Sequence, residues 1–190
     1  MQAYVRANGL LLLQCIAVLW IIELLNLMFG HRLNTWGIVP RTLGGLLGIP
    51  FSPLLHANVL HLLVNTVPFV VLGGFVMLQG RRAFVETSLF VVFLGGAGVW
   101  VIGRTATHIG ASGLIFGYFG YLVMRGWYSR SPGALLVALL TVLLYSSMIW
   151  GVFPSRLPIS WEAHLCGLLA GALAARLSAQ DEQTLPSRAR

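Results

Sequence analysis

The chain has 190 residues, 57% hydrophobic and 9% charged, with a formal net charge of +7 and a mean hydropathy of +0.84. A soluble domain carries about 25% charged residues, so the composition excludes a water-soluble globular protein and points to helices packed in lipid. All twelve basic residues are arginine, and they fall mostly between and beyond the apolar runs, where membrane topology accounts for them without a nucleic-acid partner.

A membrane span needs about 20 mostly apolar residues. The first runs from about Leu10 to Phe29, and with no small-residue cleavage site after it, it reads as a retained helix rather than a removed signal peptide. A Gly- and Pro-rich loop from Gly30 to about Leu55 holds Trp36, Arg41 and the apolar patch Leu43 to Phe51, a mixture suited to the membrane interface. Further spans are expected over Leu55–Leu78, Phe84–Ile102, Ala111–Met124, Gly133–Trp150 and Trp161–Leu177. The loop Gly151 to Ser160, with Phe153 and two prolines, reads as a lid. The chain is thus expected to be an all-α membrane protein: one six-helix bundle over residues 1–177 and a polar, disordered tail over 178–190.

Six spans put both termini on one side. If that side is cytoplasmic, eight arginines lie inside and four outside, which favours cytoplasmic termini. Cys15 and Cys166 both sit in apolar spans and read as packing residues. No metal-ligand set, phosphate loop or cofactor motif is apparent, and no cofactor is expected. Oligomeric state is not legible.

Polar groups inside spans are costly and are functional candidates by default. Spans two, four and six all enter the membrane from outside in this topology. His61, Asn65, Ser112 and His164 then share one layer, within roughly 5 to 16 Å of the outer helix ends at 1.5 Å per residue. His61 and Asn65 are four apart and share a helix face. Ser112 stands among Gly110, Gly113 and Gly117 where an apolar run begins, a helix start with unpaired backbone N–H groups. Alone, it reads more readily as a small residue easing helix packing, and its partners decide between the two readings. Gly113, Gly117 and Gly120 line much of the fourth span, and Gly167 and Gly171 follow His164 on the sixth at steps of three and seven, small-residue spacings that let two helices approach closely. Close approach would bring Ser112 to His164 as nucleophile and base. Glu162 lies roughly 200° around the helix from His164 and points away, so a dyad is expected, with Phe116 packed on the His164 ring. His56 and His108 read as near-surface residues, structural or solvated.

These residues resemble the rhomboid family of intramembrane serine proteases. The likeness rests on His56-Ala57-Asn58-Val59-Leu60-His61-Leu62-Leu63-Val64-Asn65, on Gly110-Ala111-Ser112-Gly113, and on Ala163-His164 with Gly167 and Gly171. It implies the rhomboid six-helix fold, Ser112 as nucleophile and His164 as general base. It also implies an oxyanion hole made by His61, Asn65 and the Ser112 backbone N–H, with Phe116 where many relatives have a stacking tyrosine. Expected partners are single-span membrane-protein substrates and the lipid bilayer; the expected location is a bacterial inner membrane, in the family's minimal form. The competing reading is a catalytically silent member of the superfamily that binds transmembrane helices.

Overall fold

The computed structural model describes residues 2–155 and 159–184. Among them the regular structure is helical: α1 (Gln2–Met28), α2 (Leu43–Leu47), α3 (Val59–Met77), α4 (Arg81–Phe90), α5 (Gly96–Ile102), α6 (Ser112–Ser129), α7 (Pro132–Tyr145) and α8 (Trp161–Thr184). A π-helical turn, Val91–Gly95, joins α4 to α5, so the third span is one rod from Arg81 to Ile102. Short 3-10 turns cover Arg32–Trp36, Ser52–Leu54 and Ser146–Val152.

Among the described residues, four stretches are long and apolar enough to cross a membrane: Asn8–Met28, Val59–Met77, Arg81–Ile102 and Pro132–Val152. Of the six spans expected from sequence, four meet that measure of length and apolarity among the described residues. The two that fall short, α6 and α8, pack against each other most extensively. Nine α6 residues from Ile115 to Gly126 are buried, Tyr118 and Tyr121 included. A helix sheathed by other helices has no need of a lipid-matched surface.

Glycines set the α6–α8 contact. A Cβ on Gly167 would overlap the Gly113 carbonyl oxygen, and one on Gly171 the Gly117 carbonyl oxygen. The matching steps, 113 to 117 and 167 to 171, make the two helices parallel.

The segment between α1 and α3 is tied down at both ends. The Asn26 amide donates to Asn34 Oδ1 (2.9 Å), and the Asn34 amide donates to the His56 carbonyl (3.0 Å). Arg41 Nη1 donates to the carbonyls of Val101 (3.1 Å) and Gly103 (2.8 Å) at the end of α5. Leu43 and Leu47 on α2 stay exposed.

Two boundaries differ from the sequence expectation. α7 ends at Tyr145, and the chain tightens into the 3-10 turn Ser146–Val152 instead of continuing as one helix to Trp150. α8 runs past Leu177 to Thr184, where a disordered tail was expected from Ser178; Ala174, Ala175 and Ala179 are buried there, and Ser178 Oγ bonds back to the Ala174 carbonyl (3.0 Å). Residues 185–190 of that expected tail lie outside the described residues.

Candidate active site

Ser112 is the first residue of α6. The turn before it is fixed on three sides. Gly110 has φ +118°, a conformation that side-chain-bearing residues rarely adopt, and its N–H donates to the Ser52 carbonyl (2.8 Å). The Ala111 N–H donates to His56 Nε2 (3.3 Å), so the His56 ring accepts there and is neutral. His56 is fully buried and edge-on to His61 at 5.1 Å. It is a structural support for the serine turn, the structural one of the two expected roles, but the ring is buried and not near the surface. The first intrahelical bond runs from the Ile115 N–H to the Ala111 carbonyl, which leaves the amides of the first turn directed outward.

His164 stands in the first turns of α8. Its Nε2 is 2.9 Å from Ser112 Oγ, and its Nδ1 is 2.9 Å from the Gly151 carbonyl oxygen. A carbonyl only accepts, so Nδ1 carries the proton and donates it; Nε2 is then bare and accepts from the Ser112 hydroxyl. That is the tautomer a general base needs. Phe116, one turn after Ser112, stacks on the His164 ring with centroids 4.1 Å apart and planes 6° apart. The ring is thus fixed by a stack on one face and hydrogen bonds at both nitrogens.

Sequence reasoning missed Gly151. A backbone carbonyl leaves no signature in the sequence, and only the small residue hints at it: a Cβ on Gly151 would lie 2.9 Å from Phe116 Cζ and 3.2 Å from His164 Nδ1. Glu162 turns away, as its helical position implied. It is 1% exposed, and its Oε1 accepts from the Arg104 N–H at 3.2 Å.

His61 Nδ1 accepts from the Ala57 N–H (3.3 Å), which leaves the proton on Nε2. Gly110 faces that nitrogen: a Cβ there would be 3.1 Å from His61 Nε2 and 3.7 Å from Ser112 Oγ. The bare glycine keeps open a space bounded by the serine oxygen and an N–H donor. Asn65 is buried on the same face of α3 and spends one amide hydrogen on the His61 carbonyl (2.7 Å). That bond stays within α3, so it does not glue two helices. The second amide hydrogen remains available to a ligand. Gly113 lies against Ala163, its would-be Cβ 3.3 Å from the Ala163 carbonyl oxygen, and brings the starts of α6 and α8 together.

His61, Asn65, Ser112 and His164 all line one cavity of about 800 Å3, whose wall continues over Tyr145 and Met148 near the end of α7. The four polar residues expected in one layer therefore surround one space. His108 is buried and bonded at both ring nitrogens, to Ser160 Oγ (2.5 Å) and the Arg104 carbonyl (3.1 Å). No cluster of His, Cys, Asp and Glu with metal-holding geometry occurs among the described residues. Phe153 is exposed beside Trp150, while residues 156–158 of the expected lid lie outside the described residues.

The chain resembles proteins from several organisms. An uncharacterized protein of Mycobacterium tuberculosis is 38% identical over 185 residues, covering 93% of this chain and 77% of its own length. An uncharacterized protein of Mycobacterium leprae is 35% identical over 185 residues, covering 93% of this chain and 73% of its own. A Bacillus subtilis protein with a provisional rhomboid-protease name is 31% identical over 140 residues, 68% of this chain and 66% of its own. The family model described as Rhomboid domain matches residues 44–180, the stretch from within α2 into α8 that carries the serine turn, His61 and His164 of the cavity and the paired glycine helices. This integral membrane protein belongs to the rhomboid family.

Proposed function

We propose that the chain is an intramembrane serine endopeptidase working through a Ser112–His164 dyad. The observation that carries this reading is the 2.9 Å contact of Ser112 Oγ with His164 Nε2, in a ring whose Nδ1 proton is held by Gly151. His164 takes the hydroxyl proton as Ser112 Oγ attacks a peptide carbonyl, and the same ring then protonates the leaving amine. The carbonyl oxygen becomes negative in the space beside Gly110. The Ser112 N–H, the His61 Nε2–H and the second Asn65 amide hydrogen are the donors for it. Water admitted by the cavity then hydrolyses the acyl-enzyme.

A helix hides its carbonyls in backbone hydrogen bonds, so the substrate presents an extended segment. We take substrates to be single-span membrane proteins with small or helix-breaking residues near the outer membrane boundary. In this reading α6 and α8 complete a six-span bundle in a bacterial inner membrane. Both termini are cytoplasmic, the exposed leucines of α2 lie in the outer interface, and the loop that begins at Gly151, with Phe153, acts as the lid.

The test is labelling of the detergent-purified chain with a fluorophosphonate probe. Wild type is expected to label, and Ser112→Ala and His164→Ala are each expected to lose nearly all of it. A folded wild type that does not label, with or without Phe153→Ala to open the lid, would overturn the reading in favour of a silent binder of transmembrane helices.

A further inference from the structure

Arg104 is a second organising point, outside the dyad. Its backbone N–H donates to Glu162 Oε1 (3.2 Å), its Nε is 3.6 Å from the same oxygen, and its Nη2 donates to the Ile159 carbonyl. Glu162 is 1% exposed, and its Oε2 has no hydrogen-bond partner among the described residues, so the arginine is its compensating charge. The Arg104 carbonyl accepts from His108 Nε2, so His108 Nδ1 accepts from the Ser160 hydroxyl. Ser160 Oγ in turn accepts from the Ala163 N–H, capping α8, and the Ser160 carbonyl accepts from the His164 N–H (3.2 Å). His108 is also paired through its backbone with Ile38 in both directions, at 3.0 and 2.8 Å.

These bonds join two segments that carry the reacting groups. Residues 103–111 lead directly into Ser112. Residues 159–163 lead directly into His164. The glycine contacts between α6 and α8 fix how near the two parallel helices lie. The bonds from Arg104 to Glu162 and Ile159 and from Ser160 to His108 run between the loop before α6 and the start of α8, which is where axial sliding would be stopped.

We propose that Arg104 is a positioning residue for the dyad: gripping Glu162 and Ile159, it sets the axial register of α8 against the serine-bearing turn. The inference rests on the protease reading for its kinetic test. Misplacement by about 1 Å can cost on the order of 100-fold in rate, so a register slip of even part of one residue is measurable.

The experiment compares Arg104→Ala, Arg104→Lys and Glu162→Gln with wild type in the full chain, and takes Arg82→Ala, in an exposed pair at the opposite end, as control. Fluorophosphonate labelling rates are measured well below each variant's Tm and normalised to folded protein. Arg104→Ala is expected to label at least about tenfold more slowly. Arg104→Lys should recover part of the loss, because an ammonium neutralises Glu162 but cannot also span to the Ile159 carbonyl. Arg82→Ala should match wild type. A purely structural role would lower Tm while leaving the rate per folded molecule unchanged, and that result overturns the proposal. If Arg104→Ala does not fold, the Lys and Gln variants are judged on the same scale. Nitrogen NMR of 15N-histidine-labelled protein gives a readout without turnover. Arg104→Ala should shift the His164 Nε2 signal as Ser112→Ala does. If wild type fails to label, the protease reading falls while this shift still decides the clamp, and an unchanged signal refutes it.

Discussion

At the scale of single residues, the cavity contains donors of unequal standing. Asn65 already holds the His61 carbonyl and has one amide hydrogen left, whereas the Ser112 N–H is fixed by the helix start itself. Asn65→Ala should therefore reduce turnover without abolishing it, by about 10- to 1,000-fold, as expected for one oxyanion donor. Turnover on a transmembrane substrate, normalised to folded protein, checks this. A lower Tm with an unchanged rate per folded molecule would mean that Asn65 only supports α3. The residues named from sequence were those whose polarity is expensive in a membrane: Ser112, His164, His61 and Asn65. The supports were less legible. His56 is buried because the loop before α3 folds onto the serine turn, a tertiary fact with no local signal. The Gly151 carbonyl was invisible, since every residue has one.

At the scale of elements, α6 and α8 depend on each other through glycine. Gly167→Val places a branched side chain where the Gly113 carbonyl stands, one residue from the nucleophile. Overpacking of this kind costs about 1–3 kcal/mol. The helices can relax only by moving apart, so thermal stability and fluorophosphonate labelling should fall together. Wild-type labelling with a reduced Tm would show that the contact holds the bundle and not the dyad. Helix positions were readable because apolar runs of the right length have few alternatives in lipid. Helix ends were less so. The tightening after Tyr145 and the continuation of α8 beyond Leu177 are set by packing against neighbours, not by apolarity.

At the scale of the whole molecule, the expected orientation rests on arginines. Arg81, Arg82, Arg125, Arg130 and Arg176 belong to the side opposite Ser112. A C-terminal fusion should be fluorescent with green fluorescent protein and silent with alkaline phosphatase, as a cytoplasmic terminus requires. Active phosphatase would invert the topology and move the site to the inner face. α6 and α8 pack chiefly against each other, and this has a consequence for biosynthesis. A chain delivered to the membrane in sequence order presents α6 before α8 exists to cover it. Until α8 arrives, the glycine face of α6 lacks the helix it packs against and His164 is absent altogether. In the protease reading the pair is therefore assembled only once α8 has been made, so a growing chain that still lacks α8 carries no dyad with which to cut its neighbours at the insertion site.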